Sequence, residues 1–305
     1  MYAVIDIGSN TVRLSLYEAV GKYIEKLINK KETVGLANHI GKDNRLTEHG
    51  LTRLLVTLKS FDLLIKRMNV KKVIAFATAS LRNIDNTGEV LDAIKESVDF
   101  DVRVLSGEEE GTFGYMGAIY NSGMKDGILM DIGGGSTEIV LFTKGELRSV
   151  RSLPIGSLNL FRNHVNDLLP TNKEIKGIKE DVKTYLKKLC GPQFESIGFE
   201  ICGIGGTART LCKMYNYSQN AEPANRIFPV SFMKKARHVL RDSRKDYIQV
   251  VLKTAPERIH TITPGMIILE SAARLFDSHQ VRISTFGVRE GVLLDELRKE
   301  SGQNE

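Results

Sequence analysis

The feature that most constrains this chain is a repeat. Two segments that start 125 residues apart, Asp6–Leu14 and Asp131–Ile139, share one pattern. In each, an apolar strand ends in Asp-Ile-Gly, a turn with a hydroxyl residue follows, and then a strand of alternating character begins. Chance can produce one such segment. Two of them, each on the first hairpin of a three-stranded meander, predict duplicated domains that face each other across a cleft.

The apolar periodicity around the two segments predicts the same order of elements twice. Three strands are followed by alternating helices and strands, which is typical of an α/β fold with mixed sheets and helices on their faces. The predicted strands are 2–7, 12–20, 23–34, 72–77, 101–105, 127–132, 137–143, 147–153, 199–203 and 281–286. The predicted helices are about 47–68, 87–98, 108–120, 175–190, 207–215, 231–241, 247–254, 265–276 and 289–299.

Composition narrows the class of protein. Hydrophobic residues make up 42% and charged residues 26% of 305 residues, which is ordinary for two globular domains. No signal peptide and no run of roughly 20 apolar residues is visible, so we expect a cytoplasmic protein without a membrane partner. The three cysteines, Cys190, Cys202 and Cys212, have no metal-site spacing and are interpreted as reduced thiols.

The net charge of +6 lies entirely in the second half of the chain. Residues 213–258 hold 10 basic and 4 acidic residues. The simplest interpretation is the solvated face of one or two helices, and a patch that attracts a polyanion is the alternative. Nucleic acid would give the same signal, but no recognition motif accompanies it, so we expect no nucleic-acid partner.

Three glycine-rich turns at strand ends indicate a phosphate ligand. Such turns let backbone N–H groups approach phosphate oxygens, and the third turn would also place a helix N-terminus there. An aspartate at the strand end, such as Asp6 or Asp131, suits Mg²⁺. The candidate phosphate-binding residues are Ser9, Asn10, Thr11, Gly133, Gly134, Gly135, Ser136, Gly205, Gly206 and Thr207.

A glutamate-rich segment and one arginine could also take part in a reaction. The segment Ser106–Gly111 contains three glutamates at the start of a helix, where acidic residues favour the helix dipole, and we take that to be the role of Glu108. At least one of the others could act as a general base toward an attacking water. Arg82 follows a predicted strand and could hold phosphate in a bidentate manner, although an isolated arginine there is more often a surface residue.

Five motifs in order resemble the exopolyphosphatase / guanosine pentaphosphate phosphohydrolase family. They are Asp6–Thr11, Ala77–Asn83, Ser106–Gly111, Asp131–Glu138 and Gly287–Gly291, and together they span nearly the whole chain. The resemblance implies two ribonuclease H-like domains of the actin-like, sugar-kinase and Hsp70 ATPase superfamily around a central cleft. We place the first domain at 1–120 plus a C-terminal helix, 288–305, and the second domain at 121–287.

The resemblance also implies roles for residues. Glu110 matches the catalytic glutamate of the family, Arg82 the phosphate-binding arginine, and Glu138 a residue important for activity. Asp131 matches an acidic residue tied to Mg²⁺ and water, so the implied metal ligands are Asp131, Asp6 and Glu138. Thr11 stands where family members often have serine, and it keeps the hydroxyl. The cofactor expected is Mg²⁺, with Mn²⁺ as an alternative and a monovalent cation as an addition.

We expect an exopolyphosphatase that releases orthophosphate from the end of inorganic polyphosphate by in-line attack of water. Guanosine pentaphosphate is the alternative substrate, because both molecules end in a phosphoanhydride. An ATP-dependent kinase or a non-catalytic polyphosphate or nucleotide sensor are further alternatives on the same fold. Relatives are commonly dimers, which makes a homodimer the expected assembly. Longer relatives carry an extra C-terminal helical module, so the resemblance is to the short two-domain form and leaves long-chain processivity open.

Overall fold

The chain forms two compact units in the computed structural model, which describes residues 1–21, 23–189 and 198–302. Unit 1 comprises Met1–Glu110 and Val292–Glu305, and unit 2 comprises Gly111–Gly291. The expected domain boundary at residue 120 falls inside a helix, Gly107–Ser122, and the one at residue 288 falls at the start of another, Val288–Glu300.

Unit 1 is built on a five-stranded sheet in the order β3-β2-β1-β4-β5. Strands β1, β4 and β5 are parallel, and β2 and β3 form an antiparallel meander on β1. The strands are β1 (Tyr2–Ile7), β2 (Thr11–Val20), β3 (Tyr23–Thr33), β4 (Lys72–Ala77) and β5 (Val102–Val104). A 3-10 turn, Leu36–His39, follows β3, and the helices are α1 (Glu48–Lys66), α2 (Ala79–Arg82), α3 (Thr87–Lys95) and the start of α4 (Gly107–Ser122).

The long helix α1 shows how the pattern of unit 1 becomes structure. Thr47 caps it, because its side-chain oxygen accepts a hydrogen bond from the backbone N–H of Gly50. Apolar residues at helical spacing then form one buried stripe, which includes Leu54, Leu58 and Phe61. This stripe packs in the same hydrophobic cluster as the apolar side chains of β1 and β2. The amphipathic spacing therefore fixes which face of α1 covers the sheet.

Unit 2 is built on a six-stranded sheet in the order β10-β11-β9-β6-β7-β8. The strands are β6 (Gly127–Ile132), β7 (Thr137–Thr143), β8 (Glu146–Leu153), β9 (Ile201–Ile204), β10 (Ile227–Pro229) and β11 (Gln280–Ile283). The helices are α5 (Ser157–His164), α6 (Asn172–Leu189), α7 (Gly205–Gln219), α8 (Ser231–Asp242), α9 (Arg244–Thr254) and α10 (Ile262–Phe276), with a 3-10 turn at Pro256–Arg258. Helix α4 belongs to unit 2 from Gly111 onward, and α11 (Val288–Glu300) begins in unit 2 and belongs to unit 1 from Val292 onward.

The two sheets confirm the duplication and the α/β class. In unit 1 the order is third, second, first, fourth and fifth strand, and in unit 2 the strands β8, β7, β6, β9 and β11 follow the same order. The fourth and fifth strands are parallel to the first in both cases. This is the mixed-sheet topology that the paired Asp-Ile-Gly segments and the meanders predict.

Several elements of unit 2 differ from the expectation. Helix α5 and strand β10 were not predicted, and α7 extends to Gln219 rather than residue 215. Helix α6 begins at Asn172 rather than residue 175, and the end of its predicted range, at Cys190, lies outside the described residues. Strand β10 has three residues and includes Pro229 on a sheet edge, so its signal is too short for a periodicity argument.

Helices α4 and α11 approach each other closely through glycines. A Cβ atom at Gly117 would overlap the carbonyl oxygen of Gly287, and one at Gly291 would overlap the carbonyl oxygen of Phe113. Both glycines are therefore needed for backbone-to-backbone contact in unit 2. The contact gives the Gly287–Gly291 motif a packing role.

Two cysteines lie in the core of unit 2 as free thiols. Cys202 and Cys212 are buried, and burial raises the pKa of Cys202 to about 12. Their burial agrees with the interpretation of these two residues as core thiols, and Cys190 lies outside the described residues. Within the described ranges, none of the helices combines the length and the apolar character that a transmembrane span requires.

Candidate functional site

The two Asp-Ile-Gly loops have matching turn geometry. In the first, the Gly8 N–H donates to the carbonyl of Thr11 at 3.0 Å, and in the second the Gly133 N–H donates to the carbonyl of Ser136 at 2.9 Å. A Cβ atom at either glycine would lie 3.2 Å from the same carbonyl that its N–H reaches. The repeat seen in the sequence is thus a repeat of backbone conformation at the tip of the first hairpin in each unit.

In both units, carbonyl groups of the loop accept hydrogen bonds from the segment that follows the third strand. In unit 1 the N–H groups of Gly35 and Ala37 donate to the carbonyls of Asn10 and Ser9, both at 2.9 Å. In unit 2 the first N–H groups of α5 do the same. Ser157 N–H donates to the Gly133 carbonyl at 2.9 Å, and the N–H groups of Leu158 and Asn159 donate to the Gly134 carbonyl at 2.9 and 3.1 Å.

The amide groups of the same loops are left open. In the described part of the chain, the N–H groups of Ser9 and Asn10 have no hydrogen-bond acceptor, and neither do those of Gly134 and Gly135. All four residues are half-buried. Fixed carbonyls and open amides leave donors at a rigid turn, which is the arrangement that binds phosphate oxygens. Ser136 and Thr11 occupy the last position of each turn, where Ser136 is buried and Thr11 is half-buried.

A buried hydroxyl supports each loop from behind. The Ser80 hydroxyl donates to the Ile7 carbonyl at 2.5 Å, and the Thr207 hydroxyl donates to the Ile132 carbonyl at 3.0 Å. Ser80 follows β4 and Thr207 follows β9, and these are the equivalent strands of the two sheets. Thr207, predicted to bind phosphate, therefore uses its hydroxyl hydrogen for the loop backbone.

In unit 1, Arg82 and Glu110 form a largely buried ion pair. One guanidinium nitrogen lies 3.0 Å from the Glu110 carboxylate and 2.8 Å from the Leu105 carbonyl. Only 8% of Glu110 is exposed. Both residues were predicted to act on substrate, and the structure brings them into direct contact.

The neighbouring glutamates have different environments. Glu109 closes a capping box with Ser106, because its carboxylate accepts the Ser106 N–H at 2.8 Å and the Ser106 hydroxyl accepts the Glu109 N–H. The hydrogen bond from the Ser106 backbone lowers the pKa of Glu109, and burial opposes this shift while the nearby Arg103 adds to it. Glu108 is exposed. Glu110 is thus the glutamate of this segment that is held in a buried polar site.

Asp131 and Glu138 are neighbours across the strand pair β6–β7 of unit 2. Directly opposed residues of an antiparallel pair share one face, with Cβ atoms about 5 Å apart. Glu138 is buried, and its carboxylate accepts a hydrogen bond from the Ser152 hydroxyl at 2.9 Å. In unit 1 the matching partner of Asp6 is Arg13. The two units therefore differ, with a carboxylate pair in unit 2 and an acid–base pair in unit 1.

This carboxylate pair fits a magnesium ion better than the position of Asp6 does. Mg²⁺ is usually held by one or two carboxylates together with water and phosphate oxygens, and Asp131 with Glu138 supplies that number. A cationic neighbour, as Asp6 has in Arg13, disfavours a second cation. No group of three or more histidine, cysteine, aspartate or glutamate side chains suited to a metal was found among the described residues. Asp131 and Glu138 would therefore supply only part of the coordination of Mg²⁺, and oxygens of water and substrate would supply the rest.

The third glycine-rich turn brings Asp131 close to arginines. Gly205 has a φ of 75°, and the space that a Cβ would fill is taken by the carboxylate of Asp131. At Gly206 the same space is taken by the guanidinium of Arg258. Arg209, in the first turns of α7, is half-buried. Burial, followed by the charge of Arg289, lowers the pKa of Arg209, whereas the charges of Asp131 and Glu290 raise it.

Three arginines of this site were not predicted. Arg209 stands two residues after Thr207, as Arg82 stands two residues after Ser80, so extending the repeat beyond the hairpins would have found it. Arg258 belongs to the basic stretch 213–258, which was interpreted as a solvated surface. Arg289 lies inside the Gly287–Gly291 motif, to which no chemistry was assigned. Together with the open amides, these residues give unit 2 the donors and positive charge that a phosphate requires.

Known proteins are similar to this chain along nearly its whole length. The sequence profile of the Ppx/GppA phosphatase family matches residues 15–300. A guanosine-5'-triphosphate,3'-diphosphate pyrophosphatase from Photobacterium profundum is 25% identical over 302 residues, which cover 98% of this chain and 60% of that protein. A second protein of the same name, from Vibrio atlanticus, is 24% identical with the same coverage. The chain thus spans about three fifths of the length of the curated relatives it matches.

Solved structures match over nearly the full length of the chain. The family member from Aquifex aeolicus has a TM-score of 0.82 and 28% identity, with 98% of both chains covered. An exopolyphosphatase from Cytophaga hutchinsonii also has a TM-score of 0.82 and 28% identity, with 97% of this chain and 98% of that chain covered. The fold is the α/β fold of the actin-like ATPase superfamily that these structures share. The chain belongs to the Ppx/GppA phosphatase family.

Proposed function

We propose that this protein hydrolyses the terminal phosphoanhydride of inorganic polyphosphate and releases one orthophosphate per event. The observation that carries the proposal is the duplicated turn in which carbonyls are bonded and the amides of Ser9, Asn10, Gly134 and Gly135 are left open within the described residues. Such amides bind phosphate oxygens without selecting a particular alcohol or base. Family membership and the similarity to an exopolyphosphatase from Cytophaga hutchinsonii support this choice of substrate.

In this proposal Arg82 and Glu110 exchange partners when substrate binds. The buried pair holds both side chains in place before the reaction. A terminal phosphate offers Arg82 two oxygens for a bidentate contact, which competes with the carboxylate. The Glu110 oxygen that Arg82 leaves can then accept a proton from water. Binding of the terminal phosphate would thus leave a Glu110 oxygen able to act as the base.

The chemistry follows from these positions. The water oxygen forms a bond to the terminal phosphorus while the bridging P–O bond on the opposite side breaks. The water proton passes to Glu110, and the electron pair of the broken bond stays on the shortened polyphosphate. Arg82 and the open amides of Ser9 and Asn10 neutralise the charge that spreads over the equatorial oxygens, which is where most of the acceleration in phosphoryl transfer arises.

Asp131 and Glu138 are the proposed holders of Mg²⁺. When bound, the ion would neutralise charge on the phosphate oxygens and order water near them. Asp6 remains a weaker candidate, since its cross-strand neighbour is Arg13. Arg209, Arg258 and Arg289 would add positive charge near this phosphate in unit 2. Gly205, Gly206 and Thr207 are proposed to place the start of α7 toward the phosphate.

The test of the base is Glu110→Gln. We expect orthophosphate release from polyphosphate to fall at least 100-fold with little change in polyphosphate binding, because the amide cannot accept the proton. Glu108→Gln is the matched control, since it removes the same charge from an exposed residue of the same segment. Retention of most of the activity in Glu110→Gln would contradict the role of Glu110 as base.

Guanosine pentaphosphate is the second candidate substrate. The curated relatives named guanosine-5'-triphosphate,3'-diphosphate pyrophosphatase favour it. Both substrates end in a phosphoanhydride, so the same residues serve either one. Release of orthophosphate from the two substrates, measured side by side as kcat/KM, decides between them. A higher value for guanosine pentaphosphate would replace polyphosphate as the substrate.

A further inference from the structure

A row of lysines runs along helix α6 of unit 2. Lys176, Lys179, Lys183 and Lys187 follow each other at intervals of three, four and four residues, so they lie on one side of the helix. The row extends over about 16 Å. Ile178, Val182 and Leu186 form the neighbouring stripe, which is buried in the core.

The lysines line two grooves that meet at Lys179. One groove, of about 370 Å³, lies along α6 and α10, where Lys179, Lys183, Lys187 and Arg274 surround an apolar floor made by Leu186 and Leu275. The other, of about 290 Å³, lies along α6 and α8 and includes Lys176, Arg237, His238 and Arg241. We call this continuous surface the α6 groove.

The α6 groove carries an excess of positive charge. Among the groove-lining residues that the structure describes, Glu270 is the one with a carboxylate. Glu270 is buried, and its two carboxylate oxygens accept hydrogen bonds of 2.6 Å from the Arg237 guanidinium. Among the described residues, Lys179, Lys183 and Lys187 form no salt bridge. Burial, followed by the charges of Arg237 and Arg274, lowers the pKa of Lys179 despite the opposing charge of Glu270. An anion in the groove would relieve this repulsion.

We propose that the α6 groove is a second binding site for a linear chain of phosphates. The proposal rests on polyphosphate as the substrate, and it adds a site for the part of the chain that is not being cut. A row of cations over about 16 Å matches an extended polyanion, whereas a compact anion would reach one or two lysines. No phenylalanine, tyrosine or tryptophan lines either groove in the described part of the chain, which argues against single-stranded nucleic acid.

Helix α10 connects the α6 groove with the loops of unit 2. Its Gly265 packs against Thr207 and Ser157, and Arg274 lies nine residues further along. That separation is about 14 Å along the helix axis. A tripolyphosphate is shorter than this separation, whereas a chain of many phosphates is long enough to span it. Simultaneous contact raises the effective concentration of the chain end without any new contact to the reacting phosphate.

The test compares two variants with the same loss of charge. The groove variant is Lys179→Gln, Lys183→Gln and Lys187→Gln combined. The control variant combines Lys125→Gln, Lys213→Gln and Lys253→Gln, which are exposed residues of unit 2 outside both grooves. Binding of end-labelled long-chain polyphosphate is measured by fluorescence anisotropy at several salt concentrations, and hydrolysis of long-chain polyphosphate and of tripolyphosphate is measured in parallel.

For the groove variant we expect the Kd for long-chain polyphosphate to rise at least 10-fold. The slope of log Kd against log salt should fall by about 2, since each lysine contributes roughly 0.7. We expect the KM for the long chain to rise by a similar factor, with kcat and the KM for tripolyphosphate unchanged. Equal weakening in the control variant, or no weakening in the groove variant, would overturn the proposal.

The outcome also separates this site from the proposed function. If the wild-type protein releases no phosphate from polyphosphate but the groove variant alone loses binding, the proposed function fails and the second site stands. If the wild-type protein hydrolyses both substrates and the groove variant hydrolyses the long chain with an unchanged KM, the proposed function stands and the second site fails.

Discussion

At the scale of single residues, Arg82 and Arg209 occupy equivalent places in the two units. Each stands two residues after a hydroxyl that donates to the carbonyl before a glycine loop, from Ser80 to Ile7 in one unit and from Thr207 to Ile132 in the other. Arg82 contacts Glu110, and Arg209 lies in the electrostatic field of Asp131 and Glu290. Each unit thus has one arginine that is near an acidic residue and that closely follows the hydroxyl residue bonded to the glycine loop.

This equivalence predicts that Arg209 contributes to phosphate binding. For Arg209→Gln we expect kcat/KM for orthophosphate release to fall about 10- to 100-fold, because one charge-assisted hydrogen bond contributes about 1.5–3 kcal/mol. Arg209→Lys should recover part of the loss, since it keeps the charge and loses the planar fork. Arg148→Gln, an exposed arginine on β8, is the control and should leave kcat/KM unchanged. Wild-type kinetics in Arg209→Gln would contradict the equivalence.

Prediction from the sequence worked best for residues that belong to a local pattern. Asp131 and Glu138 are close together because strand alternation and a short turn fix their register, and both features are visible in the sequence. Arg258 is different. Its guanidinium reaches Gly206 from 52 residues away, which depends on how α9 and the following turn pack, and no spacing in one sequence shows that.

At the scale of elements, helix α6 depends on a capping box at its start. The Glu174 carboxylate accepts the Thr171 N–H at 2.7 Å, and it also accepts the backbone and side-chain N–H groups of Asn166 at 3.1 and 2.8 Å. These bonds, led by the one from the Thr171 backbone, lower the pKa of Glu174 to about 2. The cap therefore orders the helix that carries the lysine row.

We predict that Glu174→Gln lowers the free energy of unfolding at pH 7 by about 1 kcal/mol, because solvent screens this half-exposed group. A carboxylate with a depressed pKa stabilises the fold above its unfolded pKa, near 4.5, and loses that contribution as the pH falls toward 2. The difference between the wild type and Glu174→Gln should therefore shrink below pH 4.5. Urea unfolding followed by circular dichroism at pH 7, 5 and 3.5 measures it.

Glu180→Gln is the matched control for the cap. Glu180 is an exposed carboxylate of the same helix, and its ion pair with Lys176 spans 3.9 Å. Removing the Glu180 carboxylate should change the free energy of unfolding by less than about 0.5 kcal/mol at every pH. A pH-independent difference between the wild type and Glu174→Gln would show that the carboxylate charge is not what holds the cap.

Helix α5 was missed because tertiary contacts rather than periodicity determine it. Helix α5 has eight residues, and its first N–H groups bond to the Gly133 and Gly134 carbonyls of the neighbouring loop. A helix this short is held by such tertiary contacts more than by its own periodicity. The long helices α1 and α10 each carry an extended run of apolar positions, and both helices were predicted from that pattern.

At the scale of the whole molecule, the two units are alike in sheet topology and differ in the side chains beside their glycine loops. The helix after the fifth strand begins with a capping glutamate in both, Glu109 bonded to Ser106 and Glu290 bonded to the Gly287 N–H at 2.9 Å. The next residue is Glu110 in unit 1 and Gly291 in unit 2. Gly291 is required there for contact with Phe113. The duplication therefore repeats the glycine loop and the capping glutamate, but the residue after the cap is a glutamate in unit 1 and a glycine in unit 2.

The chain returns to unit 1 at its C-terminal segment, which begins at Val292. Leu293 is fully buried, and the polar contacts of the segment are largely exposed. The Tyr2 hydroxyl donates to Glu300 at 2.8 Å, and Lys71 forms an ion pair with Glu300 at 2.6 Å. Solvent screens exposed ion pairs, so they stabilise a protein much less than a fully buried leucine does.

Leu293→Ala should therefore loosen unit 1 selectively. We expect a loss of about 2–5 kcal/mol, as for other buried leucines, and faster amide hydrogen exchange in β1 and β4. Exchange in β9, a strand of unit 2, should change little, because unit 2 has a hydrophobic cluster of its own. Mass spectrometry of peptides covering Tyr2–Ile7, Lys72–Ala77 and Ile201–Ile204 measures both effects. Glu300→Gln, which removes the exposed ion pair, should shift exchange far less. Equal acceleration in the peptides of both units would mean that Leu293 stabilises the whole chain rather than unit 1.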